Sequence, residues 1–171
     1  MKMFLTPNPN PPYNLMTRYP AYSDQGRDPK VTDAEFLQFA ITRSRESGDI
    51  TGEAPVYIVE DSDLPDLYFF EAWEWVEGSV VINMTRARAI HLAAIRTARN
   101  EALAALDVPF MRSVEIGDTK ELARIAEEKQ ILRDLPKTFV LTGANSPDAL
   151  SEMWPEELPA RKDSTWEIPR G

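Results

Sequence analysis

Asp61, Asp63 and Asp66 crowd into one short run, and carboxylates two residues apart in a loop can share a hard cation such as Ca²⁺. The run lacks the glycine and the later glutamate of an EF-hand loop. Asp and Ser also favour turns by bonding their own backbone, so turn chemistry is the preferred reading and an ion the lesser one. The single histidine, His91, has only Ala87, Arg88, Ala94 and Ile95 within helical reach. With no carboxylate there, it is poorly equipped for a catalytic triad or a zinc site. The absence of cysteine removes disulfides, thiolate metal sites and Cys nucleophiles. Glu127 and Glu128 are neighbours on an expected helix and point apart, so they form no catalytic pair. No glycine-rich phosphate loop occurs. These residues predict no catalytic site and no cofactor.

Residue types suited to protein contact are better represented. Tyr13, Tyr19 and Tyr22 are spaced through a proline-rich stretch, and Trp154 and Trp166 lie in irregular, proline-rich surroundings. Trp is enriched as an anchor at protein interfaces. Arg88, Arg96 and Arg99, with Arg86, make a basic flank on one helix. We take these aromatics and arginines as the candidate partner-binding residues. Against this stand plainer readings: a loosely packed terminus for the tyrosines, and a solvated face paired with Glu121 for the arginines. Trp73 and Trp75 are expected beneath a hairpin instead.

The elements that must position these residues follow from local pattern. Residues 1–31 read as an extended N-terminal arm, because Asn8-Pro9-Asn10-Pro11-Pro12 forbids helix. Thr32-Asp33-Ala34-Glu35 is a capping-box pattern and predicts a helix from about Asp33 to Glu46. Residues 55–59 predict a strand. A second pair, from about Phe70 to Val76 and Ser79 to Asn83, is joined by Glu77-Gly78, where Gly tolerates the positive φ of a tight hairpin. Alternation places Trp73 and Trp75 on one face and Glu74 on the other.

From Thr85 the apolar period becomes helical, with Ala87, Ile90, Ala94 and Ala98 near one stripe. Asp107-Val108-Pro109 interrupts it, Asp107 being placed to cap a new helix. Gly117-Asp118-Thr119 is a stop followed by a fresh cap, and Pro136 is expected to end the next helix. Residues 85–135 thus predict a helical hairpin kinked at 107–109, thin in core because many apolar positions are Ala. The fold class is α+β: an arm (1–31), a small mixed module with a β-hairpin (32–84), the helical hairpin (85–135) and an irregular C-terminal segment (136–171) with a short helical turn at 147–153.

Bulk composition narrows the partners. Among 171 residues, 28 acidic groups outweigh 19 basic ones, for a formal charge of −9. Nucleic-acid binding draws on Lys and Arg to displace counterions from phosphates, so it is not expected here. Residues 85–135 hold nine basic and eight acidic groups, and the acidic excess lies elsewhere. No run approaches a membrane span, and the N-terminal apolar run is too short for a signal peptide. A soluble protein that works by binding another protein, not an enzyme, is the expectation.

The order of parts resembles a known group. Tyr57-Ile58-Val59-Glu60-Asp61-Ser62-Asp63-Leu64-Pro65 precedes the hairpin Ala72-Trp73-Glu74-Trp75-Val76-Glu77-Gly78-Ser79-Val80. Then come Arg96-Thr97-Ala98-Arg99-Asn100-Glu101-Ala102-Leu103, the segment around Lys129-Gln130 to Leu135-Pro136, and Trp154-Pro155. Over roughly residues 56–159 this is similar to small proteins encoded beside the tail-fibre genes of bacteriophages and prophages and, more loosely, to the tail-fibre assembly chaperone family. The resemblance implies a tail-fibre partner, trimeric in such systems, whose folding or attachment this chain assists. It implies host cytoplasm during assembly, and the virion tail if the chain stays bound. The proline-rich arm departs from the chaperone pattern and favours lasting attachment. The alternative is a stoichiometric structural component of the virion tail, an adaptor of the baseplate or fibre.

Overall fold

The computed structural model describes residues 2–8, 15–18 and 30–161. By its internal contacts the chain divides after Asn83 into a front unit of strands and one α-helix and a helical unit; the fold is α+β. In the front unit, strands β1 (Lys2–Pro7), β2 (Leu15–Arg18) and β3 (Tyr57–Glu60) form an antiparallel sheet of order β2-β1-β3. Phe4 stands opposite Arg18 on one side and Ile58 on the other.

The central place of β1 corrects the reading of residues 1–31 as an arm. Met3, Phe4, Leu5 and Thr6 are all buried. Alternation sends Met3 and Leu5 into a core with Leu15, Val59, Trp73 and Val80. Phe4 goes to the opposite face, against Leu37 and Ile41 of helix α1 (Asp33–Glu46) and against Ile50. A strand covered on both faces reads as a continuous apolar run, without the polar alternation of a half-exposed one. Met3-Phe4-Leu5 is such a run, overshadowed by the prolines after it.

Helix α1 begins and ends where its caps predict. The Thr32 hydroxyl accepts from the Glu35 amide at 3.3 Å, and a Glu35 carboxylate oxygen accepts from the Thr32 amide at 2.9 Å. The expected strand from Phe70 is shorter than its pattern: residues 67–72 form 3₁₀ turns, and β4 runs only Trp73–Val76. Asp66 starts the turns by accepting from the Tyr68 amide at 2.9 Å, a capping bond that wins over β propensity in a Tyr-Phe-Phe run. β4 pairs with β5 (Ser79–Ile82) through a turn in which Glu77 and Gly78 both have positive φ, 48° and 90°, the geometry of a tight hairpin. Trp73 is fully buried and Trp75 stacks on Tyr57 at 4.3 Å, while Glu74, on the other face, accepts from Asn83 at 3.0 Å.

The helical unit holds α2 (Met84–Ala105), α3 (Asp107–Ile116), α4 (Thr119–Thr138) and the short α5 (Pro147–Glu152). The expected kink at 107–109 is a break into separate helices. Asp107 does not cap α3: the preceding residue, Leu106, is itself helical and makes no side-chain cap. The Asp107 carboxylate instead accepts from the Lys129 ammonium at 2.7 Å. Gly117 closes α3 at φ 68°, and Asp118 caps α4 by accepting from the Glu121 amide at 3.0 Å. Pro136 does not end α4, which continues to Thr138. Near a C-terminus its missing N–H removes a single ladder bond, and the Phe139 amide still reaches the Leu135 carbonyl at 2.9 Å. The α2–α4 core is Ile95, Leu132, Leu135 and Leu158, with Ala98, Ala102 and Leu103 around it. The alanine-rich hairpin is completed by Phe139, Trp154 and Leu158 from the irregular segment.

Candidate partner-binding site

Helix α2 is the spine on which the helical unit's polar contacts are mounted. Arg88 and His91 lie one turn apart and both reach backbone carbonyls of the irregular segment. An Arg88 Nη donates to the Ala144 carbonyl at 2.8 Å, and His91 Nε2 lies 2.7 Å from the Met153 carbonyl. Because a carbonyl only accepts, His91 Nε2 carries the proton. Loop backbone without ladder partners needs donors of this kind. His91 is fully buried and meets the Trp154 ring edge-on at 5.8 Å. Burial pushes its pKa below the ordinary imidazole value; the bond to Met153 opposes this and the Arg161 charge adds to it. The ring is therefore neutral near pH 7.

Sequence reasoning missed this role. The apolar stripe expected on α2 was Ala87, Ile90, Ala94 and Ala98, whereas the buried residues are Ala87, His91 and Ile95. Their i, i+4, i+8 spacing was the available signal, hidden by a polar side chain in the middle position. Arg88, expected to meet a partner, is turned inward, with its Nε buried and unbonded. Trp154 is half-buried and donates to the Pro159 carbonyl at 2.8 Å. Its ring also lines a cleft of about 230 Å³ with Ala98, Glu101 and Arg161.

Arg96 and Arg99 are brought together at a second cleft, also of about 230 Å³. Leu92, Phe139, Val140 and Leu141 give it apolar walls, and Lys137 adds a third cation. Arg99 bonds its neighbour Asn100, at 2.9 Å and 3.3 Å, and Lys137 stands 3.5 Å from Asp134. Glu121, expected as a partner of the α2 arginines, is taken by Arg124 on its own helix at 2.7 Å, and that hydrogen bond holds its carboxyl below the usual range.

A third surface is the outer side of α3. Phe110 turns inward beneath the Lys129 ammonium, 4.7 Å from the ring centre. Val108, Met111 and Val114 stay 58%, 56% and 49% exposed. With Ile116 at 77%, four large apolar groups stay exposed along this one helix, a denser exposure than scattered single residues.

The remaining candidates separate cleanly. Tyr13, Tyr19, Tyr22 and Trp166 lie outside the described residues. Asp61 and Asp63 sit in a single 3₁₀ turn, Ser62 donating to Asp63 at 3.2 Å, and Asp66 caps the next turn. Among the described residues no three acidic, His or Cys side chains converge as a metal site, and no helix is long and apolar enough to cross a membrane. No family model, curated protein or solved structure matches the chain. The functional reading therefore rests on these surfaces and on the resemblance carried by the sequence.

Proposed function

We propose that this chain is a tail-fibre accessory protein of a bacteriophage or prophage, one that binds the fibre and assists its folding or attachment. The observation that carries the binding role is the exposure of Val108, Met111 and Val114 on α3, a helix that buries Ser113 and sets Phe110 beneath the Lys129 ammonium. The choice of a fibre as partner comes from the resemblance over residues 56–159. The chemistry at His91 supports binding over catalysis, since the one histidine is buried and engaged by a backbone carbonyl. Action in the host cytoplasm during assembly, and in the tail of the particle if the complex persists, goes with this reading.

The test is co-expression with the fibre protein encoded beside the gene, followed by size-exclusion chromatography with light scattering. Co-elution at fixed stoichiometry is the expected result, and separate elution overturns the fibre as partner. A count in purified particles then divides a permanent adaptor, present at fixed copy number, from a chaperone that leaves.

A further inference from the structure

The cleft lined by Arg96 and Arg99 combines features that no contact within the unit uses up. Its walls are apolar, with Leu92, Phe139 and Val140 among them, the valine 57% exposed. Its lining is also cationic, with Arg96 and Arg99 from α2 and Lys137 from the end of α4. Lys137 has a carboxylate neighbour in Asp134 at 3.5 Å. Arg99 bonds only the neutral amide of Asn100, and Arg96 has no ion pair or side-chain hydrogen bond among the described residues. Arg43, Arg112 and Arg133 likewise have no ion pair among the described residues, so what sets Arg96 and Arg99 apart is that both line one apolar cleft. Guanidinium groups present a planar fork that matches carboxylates, and they are weakly hydrated enough to serve at interfaces. A volume of about 230 Å³ lies below the range of small-molecule pockets and suits one or two anchoring side chains.

We propose that this cleft takes an acidic segment of a partner protein, with a large aliphatic or aromatic side chain entering against Phe139 and Val140 and flanking carboxylates on Arg96 and Arg99. The inference rests on the reading that the chain binds a protein and adds the chemistry of the segment it recognises. A second copy of this chain is the rival occupant. Its acidic runs at residues 61–67 and 156–158 have their leucines packed, but Val114-Glu115-Ile116 is exposed, so the oligomeric state is read in the same experiment. Complementary charge would set register and speed encounter, and the apolar anchor would supply the hold.

The experiment titrates the full chain into short fluorescein-labelled peptides and reads anisotropy at low and moderate salt. One peptide alternates Glu with Leu and Phe, a second replaces Glu by Lys, and a third replaces Leu and Phe by Ser. The proposal expects the first to bind at least about tenfold tighter than either control, with the preference shrinking as salt rises. Arg96→Glu with Arg99→Glu should abolish it, and Arg96→Gln with Arg99→Gln should weaken it. The same charge change at Arg112 and Lys120, away from the cleft, should leave it intact. Equal binding of the Lys peptide, or equal loss in the Arg112/Lys120 variant, overturns the proposal. Dimers seen by light scattering and dissolved by the Arg96/Arg99 change would make a second copy the occupant and also overturn it. If the Arg96→Glu, Arg99→Glu chain loses the peptide yet co-elutes with the fibre as well as wild type, the cleft is not the fibre's site, while the fibre-binding role stands.

Discussion

His91 shows what a side chain's sequence neighbours leave untold and its burial reveals. It stands between Ala87 and Ile95 on the covered side of α2 and holds the Met153 carbonyl of a segment that has few ladder bonds of its own. Its pKa is lowered in the folded chain from 6.5, so the unfolded chain takes up the proton first as pH falls. Stability contributed by the neutral ring is complete above the unfolded value. It is lost progressively as pH drops through 6.5 toward the lower folded value. Urea midpoints measured at pH 7.5 and pH 5.5, roughly one unit either side of the ordinary imidazole value, should show this loss. His91→Gln keeps a donor for Met153 but cannot titrate, and its midpoint should change far less across the same window. An equal change in both proteins would place the acid sensitivity elsewhere. The aspartates are the opposite case: their turn-forming chemistry was legible because the bonds are local, Asp66 to the amide two residues on.

At the scale of elements, local signals were read well and long-range ones poorly. Thr32 and Glu35, Glu77-Gly78, and Gly117-Asp118 each act within a few residues, and each sits where its pattern predicts. Gly117 is the stop that lets α4 turn back from α3, and its φ of 68° is one that a Cβ disfavours by about 1 kcal/mol. A Gly117→Ala chain should therefore lose roughly that much stability in urea, whereas Gly143→Ala, at a glycine outside the left-handed region with nothing near its added Cβ, should lose little. Equal losses would contradict the capping account. What the sequence hid depends on distant partners. β1 is buried on both faces only because β2, β3, α1 and the Trp73 cluster converge on it. Asp107 gives up a capping role because Lys129, 22 residues away, presents its ammonium there. Pro136 fails as a stop because the next carbonyl bond survives it.

For the whole molecule, charge and apolar exposure are distributed in a way that suits docking. The acidic excess lies outside residues 85–135. The helical unit displays two surfaces suited to a partner, the α3 side with Val108 and Met111 and the cleft with Arg96 and Arg99. The arginines of that cleft were legible as a basic flank, because helical spacing alone places them. Its apolar walls were not, because Phe139 and Val140 reach it only through the fold of the segment after α4. The exposure of Val108 and Met111 was not legible, since burial depends on which neighbours arrive.

The central claim is that this chain works by seating an apolar helix face on a partner. The most direct measurement is light scattering on the co-expressed fibre and the full chain, as wild type and as Val108→Ser with Met111→Ser. Both residues are more than half exposed, so the substitutions should leave folding within about 0.5 kcal/mol of wild type. The account predicts a complex of fixed stoichiometry with wild type and its loss, or a drop of about tenfold or more in affinity, with the serine variant. A fibre that binds both proteins equally, or neither, would contradict it.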